Sequence, residues 1–90
     1  MSRIISEDQL ISAIVRDRNG VLFEGKIDSL TSINDKGEFD VLPLHANFIS
    51  IIHEFVTLRA HGKEIKTVPL KTGILAVRDN SIEVFLGILH

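Results

Sequence analysis

The sequence contains no cysteine, no tryptophan and no tyrosine, and it has only two prolines among its 90 residues. Because cysteine is absent, a disulfide framework and thiolate chemistry are excluded, and the fold has to be stabilised by packing alone. Phenylalanine is the only member of the Phe, Trp and Tyr class, and it occurs five times. So small an aromatic content argues against a stacking platform for bases or sugars.

An excess of charge of one sign is also lacking. Ten Lys and Arg residues stand against twelve Asp and Glu residues, which gives a formal net charge of -2 at pH 7. Nucleic acids and anionic membranes select clustered positive charge, so we expect no nucleic-acid partner. No apolar run approaches the roughly 20 residues that a helix needs to cross a bilayer, and residues 1–10 lack the features of a signal peptide. We therefore expect a soluble cytoplasmic chain without direct membrane insertion.

The remaining composition is typical of a packed domain. Hydrophobic residues make up 44% of the chain and charged residues 24%, which suits one core with a soluble exterior. A chain of this length buries roughly 60–70% of its surface on folding. We expect residues 1–90 to form a single domain, with residues 1–10 as a lead-in segment.

Turn-forming residues divide the chain at intervals of about 8 to 12 residues, the spacing expected of a sandwich or barrel. Turns are predicted at residues 18–20, 34–37, 61–64, 71–73 and 78–81. The segments between them alternate apolar and polar residues, and none shows a long helical period with caps. The sequence therefore predicts an all-β fold, namely a two-sheet antiparallel β-sandwich of about ten short strands.

The strand predictions rest mainly on alternation. They cover residues 10–16, 21–23, 26–33, 38–42, 55–60, 65–70, 74–77 and 82–86, with a further apolar run at 48–52. Residues 26–33 would suit a helix face as well, but β-branched Ile27, Thr31 and Ile33 favour a strand. The predicted core consists of Val15, Leu22, Ile27, Phe39, Val41, Ile49, Ile51, Leu58, Ile65, Val68, Leu75, Val77, Ile82 and Val84.

Residues that could carry chemistry are few and scattered. The sequence has four histidines, His45, His53, His61 and His90. They fall on different predicted strands and turns, so we expect no metal site. The carboxylate pairs Glu38 with Asp40 and Asp17 with Glu24 are interpreted as solvated strand faces. Since no nucleophile elbow or phosphate-binding glycine loop is recognisable, we expect no catalytic residue, no cofactor and no enzyme.

Two stretches carry more apolar residues than one buried strand face needs. Residues 48–52 (FISII) and 85–89 (FLGIL) would place large apolar groups on both faces of a strand. Either these strands are covered on both sides within the domain, or a partner docks on the outer face. The pattern alone leaves both interpretations open.

Three blocks of sequence resemble a known family. They are GVLFEGKIDS at residues 20–29, GEFDVLPLHA at 37–46, and GILAV at 73–77 with IEV at 82–84. In this order they resemble the amino-terminal β-sandwich of the epsilon subunit of F-type ATP synthase, and the similarity covers residues 11–88. Four residues depart from the family pattern, because Leu44, Asp40 and Thr72 stand where glycine is usual and Asn47 stands where proline is common.

The resemblance implies a non-catalytic rotor subunit. Such a subunit binds the gamma subunit in the central stalk and contacts the c ring, and it couples ion translocation to ATP synthesis and hydrolysis at the inner face of the cell membrane. By resemblance, Glu38 is expected near the c-ring loops, and His45, Phe48 and Ser50 near gamma. Family members usually continue into a carboxy-terminal helical hairpin that can inhibit hydrolysis, so a chain that stops at His90 is expected not to inhibit. The alternative is a stand-alone β-sandwich adaptor or a small-ligand binding domain.

Overall fold

A computed structural model of the chain describes residues 10–87. Within this range the chain forms seven β-strands and no helix, so no membrane-spanning helix is found there. The predicted lead-in segment, apart from Leu10, and the apolar residues 88–89 lie outside the described residues. The strands are β1 (Ile11–Asp17), β2 (Gly20–Ile27), β3 (Ser29–Asn34), β4 (Gly37–Val41), β5 (Phe48–Ala60), β6 (Lys63–Arg78) and β7 (Ser81–Leu86).

All seven strands belong to one hydrogen-bonded sheet with the order β2-β1-β7-β6-β5-β3-β4. Neighbours are antiparallel except β1 and β7, which run parallel. The direction of β7 is set by its hairpin with β6, and β1 then joins its other edge. The all-β prediction is confirmed, but about ten strands is too many, and one pair is parallel where every pair is predicted to be antiparallel.

Two long strands turn this single sheet into a sandwich. β5 has 13 residues and β6 has 16, and the two pair along their length. β7 pairs only with the second part of β6, from Gly73 onward, whereas β3 pairs with β5 only from His53 onward. β5 has a bulge at His53/Glu54, where its pairing with β3 begins, and Glu54 has a φ of 71° there. The chain thus forms two half-sheets that share β5 and β6, and β2 comes into contact with β5.

Gly73 explains why one predicted turn is absent. Residues 71–73 lie within β6, and the turn predicted there is wrong. A Cβ atom at Gly73 would lie 2.8 Å from the backbone oxygen of Phe85 and 3.3 Å from Leu86 Cδ2. Glycine is therefore needed for the close approach of β7 to β6 and not for a reversal of the chain.

The core lies between the two half-sheets. Its fully buried side chains include Val15, Ile27, Leu58, Leu75 and Val84, all of them predicted from the sequence. The prediction is wrong for Leu22, Ile49, Ile51 and Ile65, which are 40%, 75%, 49% and 47% exposed. Conversely, Ile11, Ala13, Leu30, Ile52, Val56 and Leu86 are buried without having been predicted.

The error at Ile49 and Ile51 is one of phase. Ile52 is fully buried and lies opposite Gly73, which is buried as well. Since side chains alternate along a strand, Ile49 and Ile51 point away from the core. In a run with apolar residues at nearly every position, the sequence does not reveal which of the two phases is buried.

Candidate protein interface

The segment between β4 and β5, residues 42–47, forms an exposed corner that we call the corner loop. Pro43 cannot donate a backbone hydrogen bond, which ends the pairing of β4 just before it. The chain then reverses through a turn in which the His45 N–H donates to the Leu42 carbonyl at 3.2 Å. Leu44 adopts a φ of 65°, and the side chains of Leu42 and Leu44 are 54% and 73% exposed.

Asn80, in the β6–β7 turn, ties the corner loop to the rest of the sandwich. Its Oδ1 accepts the Leu44 N–H at 2.9 Å, and its Nδ2 donates to the Leu10 carbonyl at 2.7 Å. A second bond joins the same two segments, since the Asp79 N–H donates to Asn47 Oδ1 at 2.9 Å. The corner loop is therefore held at its middle and at its end.

His45 and Phe48, two of the residues expected at an interface, lie next to each other. Their ring centroids are 4.9 Å apart, and the Phe48 ring meets Phe39 edge-on at 6.0 Å. Phe48 is half-buried and packs against the core, whereas His45 is exposed. The pair connects the corner loop to the hydrophobic interior.

Ser50 and Glu38 lie apart from this pair. Ser50 is opposite buried Leu75, on the inward side of β5, and its Oγ accepts a hydrogen bond from Asn34 Nδ2 at 3.1 Å. Glu38 is exposed on β4, at the other end of the sheet order from β1 and β2. The structure therefore brings together His45 and Phe48, places Ser50 further along β5, and leaves Glu38 on a separate edge.

The half-sheet formed by β1, β7, the second part of β6 and the first part of β5 carries apolar side chains from four strands on its outer side, with Glu83 among them. Ile49 lies opposite Ala76, Ile51 opposite Ile74, and Ile74 opposite Phe85. We call this surface the apolar face and define it by Ile14, Ile49, Ile51, Ile74, Ala76 and Phe85. The sequence predicts the surplus of apolar residues in β5, but the predicted core wrongly includes Ile49 and Ile51.

Two charged groups lie on the β1 and β7 part of the apolar face, and one of them, Glu83, lies between Ile14 and Ala76. Arg16 Nη2 lies 3.3 Å from Glu83 Oε2, and the Arg16 guanidinium lies 5.3 Å from the centroid of the Phe85 ring. On the side of the corner loop, Asn47, Phe48, Ile49 and Ala76 help line an open groove of about 720 Å³. The groove reaches from Asn47, the last residue of the corner loop, to the apolar face, and Arg78, Asp79 and Glu83 also line it.

The other residues considered for metal binding or catalysis lie at scattered positions of the sandwich. His53 Nε2 lies 3.1 Å from Asp35 Oδ1, His61 is exposed in the β5–β6 turn, and His90 is outside the described residues. Among residues 10–87, no three His, Asp or Glu side chains gather as metal ligands would. Asp17 Oδ1 accepts the Asn19 N–H at 2.8 Å in the β1–β2 turn.

Asp40 belongs to a series of side-chain hydrogen bonds across β3, β4 and β5. Arg59 Nη1 donates to Thr31 Oγ1 at 2.6 Å, and Thr31 Oγ1 donates to Asp40 Oδ1 at 2.5 Å. Thr31 is almost fully buried beneath these two charged groups. The arrangement links side chains of β3, β4 and β5 to one another.

Fold and surface together define a β-sandwich domain with one apolar outer face. The family model of the "ATP synthase, Delta/Epsilon chain, beta-sandwich domain" matches residues 11–87. The chain therefore belongs to this family, and the predicted resemblance to the epsilon subunit is confirmed.

Curated relatives carry the same name. An ATP synthase epsilon chain of Leptospira borgpetersenii is 28% identical over 64 residues, which cover 71% of this chain and 50% of the relative. An ATP synthase epsilon chain of Sulfurovum is 34% identical over 61 residues, which cover 66% of this chain and 47% of the relative. The chain thus spans about half the length of the curated relatives that it matches.

Solved structures share the fold at low sequence identity. A chain of the Euglena gracilis mitochondrial ATP synthase structure (OSCP/F1/c-ring) matches with a TM-score of 0.79 and 15% identity, covering 87% of this chain and 51% of the other. A chain of the Tetrahymena thermophila mitochondrial ATP synthase central stalk/c-ring structure matches with a TM-score of 0.71 and 12% identity, covering 84% of this chain and 62% of the other. At these identities the likeness concerns the fold alone.

Proposed function

We propose that the chain is a non-catalytic central-stalk subunit of a rotary F-type ATP synthase. In this role it binds the gamma subunit, contacts the c ring, and couples ion translocation to ATP synthesis and hydrolysis at the inner face of the cell membrane. The family membership supports this proposal, as does a fold shared with chains of ATP synthase structures that include the central stalk and c ring. The observation that carries it is the exposed apolar face.

A water-exposed apolar sheet face favours association with another protein. Ile49 is 75% exposed and Ile51 is 49% exposed, side by side with the apolar residues of β6 and β7. Full burial of one isoleucine side chain contributes about 1.5–3 kcal/mol. Covering both with a partner surface would strengthen binding by about two orders of magnitude, at about 1.4 kcal/mol per factor of ten.

Gamma is assigned to this face and to the adjoining corner loop, because His45 and Phe48 lie where the two meet. The c ring is assigned to the edge that carries Glu38, a separate and polar surface. One partner per surface allows the domain to contact both at once, as a subunit between the stalk and the ring must.

The proposal predicts that gamma binding depends on the apolar face. The double substitution Ile49→Asp and Ile51→Asp places two carboxylates where an apolar contact is expected, so the affinity for gamma should fall by about 100-fold or more. Isothermal titration of the purified chain with gamma from the same organism measures this affinity, and circular dichroism checks that the variant is folded.

Ile65→Asp is the matched control. Ile65 lies on the first part of β6, outside the apolar face, and its exposure of 47% is close to that of Ile51. The control variant should bind gamma as the wild type does. Equal losses in both variants, or no binding by the folded wild type, would contradict the proposal and favour an adaptor with a different partner.

Two finer expectations belong to the same proposal. His45 and Ser50 are expected to contribute to the gamma contact, His45 from the corner loop and Ser50 through the position of β5.

A further inference from the structure

Leu44 is an unusual residue for its backbone conformation. Its φ of 65° lies in the left-handed region, where a bulky side chain is an outlier. Other left-handed positions of the described chain carry residues that tolerate this region better, namely His61, Gly62, Asp79, Asn80 and Gly87. Glu54 is the other exception, and it lies at a bulge.

The surrounding structure holds Leu44 in this conformation. Its N–H is bound by Asn80 Oδ1 at 2.9 Å, and the next N–H, that of His45, is bound by the Leu42 carbonyl at 3.2 Å. A strained residue persists only where its neighbours fix it in this way, and such residues cluster at functional sites.

Among residues 10–87, no packing calls for leucine at this position. The Leu44 side chain is 73% exposed, and the neighbouring Leu42 is 54% exposed. Glycine would fit the backbone better and would lose little buried contact. The corner loop therefore presents an apolar side chain at a cost to the backbone and with no gain to the core.

We propose that Leu44, with Leu42 beside it, is a rigid apolar anchor that inserts into a concave apolar pocket of the gamma subunit. This inference rests on the proposed function and names the side chain of the corner loop that makes the main contact. Asn47 ends the corner loop and lines a groove with Phe48 and Ile49, so the loop and the apolar face meet at this point of the chain. A side chain whose backbone is held in place before binding loses less conformational entropy when it binds, which strengthens the contact.

The chemistry of the corner loop favours a protein pocket over a lipid surface. Residues 42–47 (LPLHAN) contain no Lys, Arg, Asp or Glu, so the matching pocket should be apolar and uncharged. A loop that inserts into an anionic bilayer usually carries basic residues, because they bind the headgroups. The nearest exposed charges are of both signs, namely the carboxylates Asp40 and Asp79 and the single cation Arg78, so no basic cluster adjoins the loop.

The substitution Leu44→Gly separates an anchor from a structural residue. Removing the side chain should weaken gamma binding at least about tenfold, while the thermal unfolding midpoint stays the same or rises, because glycine accepts a φ of 65°. Leu44→Asn is the second variant, since asparagine also tolerates this conformation and keeps a side chain that restricts the unfolded chain. It should show the same weak binding, which excludes loop flexibility as the cause.

Leu22→Ala is the matched control, because Leu22 is an exposed leucine on β2, away from the corner loop. It should leave the affinity unchanged. Undiminished gamma binding by Leu44→Gly overturns the inference, and so does a parallel loss of affinity and unfolding midpoint in both Leu44 variants. If the double aspartate variant of the apolar face loses binding while Leu44→Gly keeps it, the proposed function stands and the anchor is rejected.

Co-sedimentation with vesicles of phosphatidylethanolamine and phosphatidylglycerol tests the lipid alternative. We expect no Leu44-dependent binding to them. Vesicle binding that is lost in Leu44→Gly, with gamma binding unaffected, would reject the protein pocket. Absence of gamma binding by the folded wild type would reject the anchor together with the proposed function.

Discussion

At the scale of single residues, a few polar side chains fix segments that have little else to hold them. Asn80 bonds to the corner loop and to the residue before β1, and it adopts a φ of 64°. Buried Ser32 donates to the Phe55 carbonyl at 2.7 Å next to the β5 bulge. Each satisfies a backbone group that the sheet leaves unpaired.

Asn80→Ala should destabilise the domain by about 2 kcal/mol. It leaves two backbone groups without their hydrogen-bond partner, and alanine tolerates the left-handed backbone conformation less well than asparagine does. Urea unfolding followed by circular dichroism measures this change. Asn80→Gly removes the same hydrogen bonds but relieves the backbone, so its cost should be smaller, about 1 kcal/mol.

Asn19→Ala is the control for this prediction. Asn19 is exposed in the β1–β2 turn, and its replacement should change stability by no more than about 0.5 kcal/mol. If Asn80→Ala behaved like this control, the corner loop would not depend on Asn80.

The roles of Asn80 and Ser32 could not be predicted from the sequence. The turn at residues 78–81 is predicted correctly from its Asp-Asn pair, but the partner of Asn80 lies 36 residues away in the chain. In the same way, the block around Pro43 predicts a corner, whereas the exposure and conformation of Leu44 depend on what packs beneath it.

At the scale of elements, the turn residues predicted most strand ends, and the alternation predicted most of the core. Strand continuity was less predictable. β5 and β6 each run through a point where the sequence suggests a break, because a bulge or a close contact there uses the same residue types as a turn. The sequence could not predict which alternate residues of β5 face the core, since residues 48–52 are apolar at nearly every position.

Gly73→Ala tests the close contact between β6 and β7. The added Cβ would lie 2.8 Å from the Phe85 carbonyl oxygen, a backbone atom that cannot move without shifting β7. We expect a loss of about 1–3 kcal/mol in the free energy of unfolding, measured in urea.

Gly25→Ala is the paired control for this substitution. Its Cβ would meet only the Phe23 ring, at 3.4 Å, and that side chain can adjust. Its cost should stay below about 1 kcal/mol. A smaller loss for Gly73→Ala than for Gly25→Ala would mean that residues 71–73 rearrange as the turn that the sequence suggests.

At the scale of the whole molecule, the two candidate contact surfaces lie on different strands of the sandwich. The apolar face spans β1, β7, β6 and β5, whereas Glu38 lies on β4 at the end of the sheet. The resemblance predicted the family and an interface near His45 and Phe48, and the register of the strands then added Ile49 and Ile51. Which side chains point outward is decided by the folded sheet. The sequence therefore predicted a surplus of apolar residues but not the face of the sheet on which they lie.

The central claim is that this face binds gamma inside the assembled enzyme, and site-specific photo-crosslinking in cells tests it most directly. A photoreactive phenylalanine analogue is placed at position 49, 38 or 65 in separate variants, and the ATP synthase is purified after irradiation. The account predicts a crosslink to gamma from position 49, a crosslink to the c subunit from position 38, and neither from position 65. Crosslinking to gamma from position 65 but not from position 49, or no crosslink to any subunit of the complex, would contradict it.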